Sequence, residues 1–302
     1  MKWEKLGLLY CPAENNRHPK LLTHAANPLP VFLNGDVYRI FYSGRDAQNR
    51  SSVGAVDIDI LKQEIVHEYQ NPFFQHGPND SFYADGVSIG NCYDVGDKKY
   101  MLFMGWQSSL DKHWRGDIGR LIVSSELTLS LDSIEPFLGS NNLDPISLSY
   151  PWVDNHNNGY RMWYGSTLTW DGGNGEMVHV INFATSPDGH NWHRKGLGVP
   201  YQIGKAQAFS RPTVIGNEQL GFEMWFSYRS GCGKKYRIGY ADSSDGEQWM
   251  LNLEKAGIDV SPDGWDSEMI EYPFVFDHND QRFMLYNGNG YGKTGFGFAV
   301  QK

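Results

Sequence analysis

Five short hydrophobic runs rich in aromatics and Met punctuate the chain: "YRIFYSG" from Tyr38, "YMLFMGW" from Tyr100, "YRMWYGS" from Tyr160, "FEMWFSY" from Phe222 and "RFMLYNG" from Arg282. The steps between them are 62, 60, 62 and 60 residues, so the pattern is a repeat of nearly constant period. Each run is preceded by a shorter one opened by Pro or Gly: "NPLPVFL" at Asn27, "DGVSIG" at Asp85, "YPWV" at Tyr150, "RPTVI" at Arg211 and "YPFVF" at Tyr272. Polar turns such as "NGD" and "HNNG" separate the two, which is hairpin chemistry. A third run follows in every unit: "SVGAVDID", "IGRLIVSS", "VINFATS", "RIGYADS" and "GFGFAV". No long stretch sustains a helical period, so short aromatic strands joined by turns are the predicted elements.

After two of the third runs come "SPDGHNW" (Ser186 to Trp192) and "SSDGEQW" (Ser243 to Trp249), tight Asp-Gly turns whose Trp is expected to pack between sheets. The remaining length of each unit has room for a fourth, outer strand. Four-stranded antiparallel sheets repeated radially make a β-propeller, so the expected fold is all-β: one domain over residues 1–302 with five blades. The last unit stops short of a fourth strand. The N-terminal "KWEKLGLLY" is expected to supply it.

Composition narrows the partners. A net charge of −9 argues against a nucleic-acid backbone or an anionic membrane, and leaves a small sugar, with or without phosphate, open. The first residues hold only a three-residue apolar run, too short for a signal peptide or a membrane span, and a cytoplasmic location is expected. Cys11, Cys92 and Cys232 are too widely spaced for a disulfide framework or a zinc motif and are read as buried small apolar residues. His24, His76, His113 and His179 share no metal-ligand spacing. Neither a metal nor a cofactor is expected.

Radial repetition brings the first strands to a common axis. The positions before each Pro, or its Gly equivalent, are Asn27, Asp85, Tyr150, Arg211 and Tyr272, and those before Pro are expected to be held extended by the ring. One residue earlier stand Ala26, Ala84, Ser149, Ser210 and Glu271. Where a first strand begins its partner ends, which adds Arg45, Gln107, Thr167, Arg229 and Asn289 to the same mouth. The expected pocket has Asp85 with Glu271 or Glu268 as carboxylates, and Arg45, Arg211 and Arg229 as cations. Asn27 and Asn289 supply amides, Asp46 a further carboxylate, and Trp106, Tyr150, Trp163 and Tyr272 the aromatic walls. Aromatic faces beside carboxylates and amides suit a sugar. Plainer readings stand beside these: Asp46 as a turn-closing ion pair, Asp85 as a turn cap, and Trp163 as core.

At these residues the chain resembles the five-bladed propeller glycosidases: arabinanases and xylosidases, invertases and levansucrases, and mannoside phosphorylases. Nearest in pattern are the phosphorylases, through Asn27–Pro28, Arg45, Asp85 at the opening of the second unit, and "LYNGNGYGKTGFGFAV". The resemblance implies Asp85 as proton donor. The chain departs from the family where hydrolases carry an acidic first-blade residue (here Asn27) and a third-blade Glu (here Ser149–Tyr150), and where phosphorylases follow the Asp with Arg (here Gly86–Val87). The leading expectation is therefore an enzyme acting on a glycosidic bond, as hydrolase or phosphorylase, with Asp85 as acid and Glu271 or Glu268 as second carboxylate. Such an acid must be held protonated near neutral pH by burial or a neighbouring charge. The alternatives are a glycan-binding propeller that has lost its catalytic set and a protein-interaction propeller.

Overall fold

A computed structural model describes residues 1–12, 17–108, 113–156, 159–217, 219–231 and 233–302, with Asn217 by its backbone alone. Cys232 and the centre of the "HNNG" turn lie outside the described residues. The repeat read from the sequence appears as hairpins. First strands are β2 (Thr23–Asn34), β6 (Gly86–Val95), β10 (Leu148–His156), β14 (Ala208–Asn217) and β18 (Glu271–His278). Their antiparallel partners are β3 (Val37–Arg45), β7 (Lys98–Ser108), β11 (Gly159–Thr169), β15 (Gly221–Arg229) and β19 (Gln281–Asn287). Third strands follow as β4 (Ser51–Asp59), β8 (Trp114–Val123), β12 (Val178–Ser186), β16 (Arg237–Ser243) and β20 (Phe296–Gln301). Outer strands are β5 (Glu64–Glu68), β9 (Leu129–Leu131), β13 (His193–Leu197) and β17 (Met250–Leu251). The last unit takes its outer strand from the N-terminus, where β1 (Trp3–Tyr10) runs antiparallel to β20.

Hydrogen bonding joins these strands into one four-stranded sheet, β1-β20-β19-β18, and two eight-stranded ones. Each larger sheet links two units through a single parallel step, Ser51 to Gly86 in one and His179 to Ala208 in the other. Helix is nearly absent from the described residues, being one 3-10 turn (Leu253–Ala256) and one short turn, α1 (Asn289–Gly292).

Burial of the second strands explains their aromatic content. Phe41, Phe103, Trp163, Trp225 and Phe226 are all fully buried. Trp163 meets Trp249 edge-on at 6.1 Å and donates to the Gly246 carbonyl at 3.2 Å. It is a core residue between units, so its expected place in a pocket wall is corrected. Trp249 is buried as the Asp-Gly-x-x-Trp pattern predicts, while Trp192 is half-buried. The cysteine reading holds only in part: Cys11 is exposed and Cys92 half-buried, its thiol pushed up to about 12 by desolvation.

One backbone feature recurs in four of the first strands and differs from expectation. Asn27, Tyr150, Arg211 and Tyr272 precede Pro, yet their φ angles are 57°, 31°, 47° and 53°, left-handed rather than extended. At the same points the antiparallel register slips: Ala26/Leu29, Ser149/Trp152, Ser210/Thr213 and Glu271/Phe274. Each is a β-bulge, and the extra residue explains why the pre-Pro preference loses. A left-handed Tyr or Arg is strained by about 1–3 kcal/mol and persists only where its surroundings over-determine it.

Those surroundings are side chains of neighbouring units. A bulge removes ladder partners, and buried backbone groups must find others. Asn287 Oδ1 accepts from Asn27 N at 2.8 Å, and Ser227 Oγ accepts from Tyr272 N at 2.7 Å. Thr213 donates to the Pro273 carbonyl at 2.9 Å. Arg211 reaches furthest, donating to the carbonyls of Tyr272 (2.6 Å) and Pro28 (2.8 Å) and so tying three units together. Its guanidinium is buried, which brings its pKa down to about 9. Arg211→Ala is expected to lower unfolding stability by about 2 kcal/mol or more, since hydrogen bonds to charged groups contribute roughly 1.5–3 kcal/mol and two carbonyls lose their donor. Urea denaturation reads this; an unchanged midpoint would contradict the clamp.

Candidate functional site

Strand pairing fixes which residues are equivalent from unit to unit. Ala26, Val87, Ser149, Ser210 and Glu271 pair with Ser43, Gly105, Gly165, Ser227 and Asn287, each five residues beyond the start of its aligned run. The next ring is therefore Asn27, Ser88, Tyr150, Arg211 and Tyr272. Ser88, not Asp85, completes it. The second unit has no Pro at this point, and its register slips later, between Ile89 and Cys92, so an alignment on the opening residue slides by three. Asp85 precedes β6, and its Oδ2 accepts from Ser108 N at 2.6 Å.

A cavity of about 410 Å³ opens at this mouth. Of the expected residues, Arg45, Trp106, Tyr150, Arg229 and Tyr272 line it, and Ser149 and Ser210 join them. Tyr150 and Tyr272 lie 5.3 Å apart by ring centroid, with their hydroxyls at 3.4 Å. Trp106 is held by its indole N–H to Ser51 Oγ at 3.1 Å. Arg229 lies over the Tyr236 ring at 4.8 Å and donates to Glu176 Oε1 at 2.8 Å. Arg45 donates to Asn49 Oδ1 at 2.6 Å.

Sequence reasoning missed Trp114, His179, Tyr236 and Tyr291, which also face this space. A signal for the first three existed. Third strands begin where second strands end: Trp114 pairs with Ser108, His179 with Thr167, and Tyr236 precedes the Arg237–Tyr228 pair. Extending the hairpin argument by one strand finds them. Tyr291 sits in α1, which the repeat does not contain.

Two buried titratable groups set the electrostatics. Glu271 is wholly buried beside Tyr272, and neither carboxyl oxygen has a hydrogen-bond partner among the described residues. Desolvation pushes its pKa well above the usual carboxylate range, against the opposing pull of Arg229 and Arg45. Burial therefore favours its protonated, uncharged form. His179 is also buried, and desolvation, assisted by Arg229, brings its pKa down to about 3. This neutral imidazole lies 2.6 Å from Ser149 Oγ at Nε2 and 2.7 Å from Thr167 Oγ1 at Nδ1.

The other expected residues lie elsewhere. Glu268 is at the surface, paired with Lys235, which removes it as a second carboxylate. Asn289 Oδ1 accepts from Glu268 N and Met269 N in the turn that follows β19, away from the cavity lining. Asn27 is buried in the backbone clamp, and Arg211 spends its donors on carbonyls. Asp46 closes its own turn, accepting from Gln48 N and Arg50 N and pairing with Arg50 at 2.8 Å. That is the plainer reading, with Arg50 rather than Arg45 as partner. No cluster of three or more His, Cys, Asp or Glu among the described residues is arranged to hold a metal.

Comparison with solved structures places this architecture. The structure matches one described as a glycoside hydrolase with a TM-score of 0.74 at 13% identity, covering 99% of this protein and 91% of that one. It also matches a structure described under the GH130 family of mannoside phosphorylases, which contains glycoside hydrolases that target beta-1,2 mannosidic linkages in Candida mannan. There the TM-score is 0.73 at 11% identity, with 99% and 93% coverage. The Bombyx mori GH32 beta-fructofuranosidase BmSUC1 matches at 0.65 and 11% identity, over 92% of this protein and 61% of its own length. Identities this low show a shared fold alone. No protein-family model matches the sequence. Two curated relatives do, the uncharacterized proteins MT1551 and Rv1502 of two Mycobacterium tuberculosis strains, each 42% identical over 99% of both sequences. The chain belongs to the family of these mycobacterial proteins and shares its all-β fold with the glycoside hydrolase structures above.

Proposed function

We propose that the chain forms a five-bladed wheel of four-stranded sheets and cleaves or transfers a glycosidic bond in its central cavity. The observation that carries this reading is Glu271, a carboxyl kept uncharged by burial one residue from a cavity-lining Tyr. General acid catalysis of glycoside cleavage needs such a group. In the reaction Glu271, which stands behind Tyr272 and does not itself line the cavity, gives its proton through one intervening water to the leaving glycosidic oxygen as the bond to the anomeric carbon breaks. A water or hydrogen phosphate adds at that carbon, and the proton it releases restores the carboxyl. Aromatic rings of Trp106, Tyr150 and Tyr272 offer faces for the C–H surface of the sugar. In this reading Glu271 replaces Asp85, whose carboxylate is engaged by Ser108 N.

A second reading, binding of a glycan without cleavage, draws on a specific observation: no Asp or Glu lines the cavity among the described residues. A panel of aryl glycosides and disaccharides, assayed with and without phosphate, separates the two. Turnover is expected for at least one, with phosphate dependence naming the acceptor. Binding of panel members with no turnover would favour the second reading.

For a substrate that is turned over, Glu271→Gln should lower kcat by about 10²–10⁴, the usual contribution of a general acid, while Asp85→Asn should lower it less than tenfold. The reverse order would return the acid role to Asp85.

The titration of Glu271 has a further consequence. A carboxyl whose folded pKa exceeds its unfolded value binds its proton more tightly in the native state, so stability drains away as pH rises above the unfolded value near 4.5. Glu271→Gln removes that dependence. Chemical denaturation across pH should show the variant gaining on the parent protein steadily above that value. A constant difference would mean that Glu271 titrates normally.

A further inference from the structure

The cavity carries a sign opposite to that of the protein around it. Net charge over the chain is −9, yet among the described residues the only charged side chains lining the cavity are Arg45 and Arg229. His179, in the same wall, is neutral, and burial favours the uncharged form of the nearby Glu271. One carboxylate, Glu176, offsets Arg229 from behind at 2.8 Å. The Arg45 side chain is held by a neutral amide, Asn49 Oδ1, and Arg229 Nε is buried without a partner among the described residues. An excess of positive charge thus faces a partly enclosed space, where low dielectric strengthens its pull on an anion.

We infer that the sugar bound here carries its own anionic group, a carboxylate or a phosphate ester, held between Arg45 and Arg229. This rests on the sugar-site reading above and narrows it. Guanidiniums pair with planar carboxylates and phosphates through parallel N–H donors, which a neutral hydroxyl cannot match. The same Arg229 packs on Tyr236, whose ring lies 6.5 Å from that of Tyr272. Anion position and stacking faces are therefore contiguous within about 410 Å³, room for a mono- or disaccharide rather than a separate anion site remote from the ring.

Isothermal titration calorimetry of the full chain tests this with methyl glucuronide, galacturonide and mannuronide, the hexose 6-phosphates, the neutral parent glycosides, and inorganic phosphate alone and with each neutral glycoside. At least one anionic sugar should bind tenfold or more tightly than its neutral parent. Arg45→Met should erase that preference, with a circular dichroism spectrum matching the parent showing that the variant folds. Arg229→Lys, which keeps a cation for Glu176, should reduce the preference in part. Equal binding of neutral and anionic sugars, or neutral binding that requires free phosphate, would overturn the inference and leave the sugar site standing. A preference untouched by both variants would also overturn it. If no sugar in the panel binds, the sugar-site reading itself fails.

Discussion

The bulge before each hub proline is the constraint on which the rest of the structure depends. Asn27, Tyr150, Arg211 and Tyr272 hold left-handed backbone angles that non-glycine residues rarely adopt, in strands whose regular ladder would not require them. At Asn27 and Tyr272 the strain is held by bonds from adjacent units: Asn287 to Asn27, Ser227 and Arg211 to Tyr272, Thr213 to Pro273. In each of these bonds one unit supports the bulge of another. Strand geometry, side-chain clamps and the meeting of the units at the axis are thus one cooperative arrangement.

Function draws on the same arrangement. Because the chain turns sharply after Glu271, that carboxyl lies in the packed hub while the next side chain, Tyr272, faces the cavity. Burial outweighs the attraction of two nearby guanidiniums and favours the neutral acid, which leaves the charges of Arg45 and Arg229 to be balanced by other groups. An acidic protein with a cationic pocket follows from that imbalance. A charged Glu271 would cancel it.

The periodicity of apolar runs made the strand plan legible from sequence, including the return of the N-terminal strand to the last sheet. Pocket residues were legible where the hairpin rule applies directly, as for Arg45, Tyr150, Arg229 and Tyr272. Asp85 was misplaced because the second unit lacks the proline that anchors the alignment, and register rather than composition decides which residue reaches the axis. Arg211 and Asn27 lie where first strands of different units meet, but their side chains hold backbone rather than an expected ligand. Whether a buried polar side chain serves a ligand or a stranded carbonyl depends on bulges that a one-dimensional pattern does not encode. Trp163 and Glu268 were expected at the pocket for a related reason, since alternation along a strand does not say whether the other side is cavity, neighbouring sheet or solvent.

The central claim is that the hub holds Glu271 protonated at neutral pH. Infrared difference spectroscopy between the parent protein and Glu271→Gln, recorded across pH, observes that proton directly through the carboxylic C=O stretch. The account predicts a protonated-carboxyl band at neutral pH that is present in the parent and absent from the variant. A band that disappears as the pH passes the ordinary carboxylate range near 4.5 would contradict it.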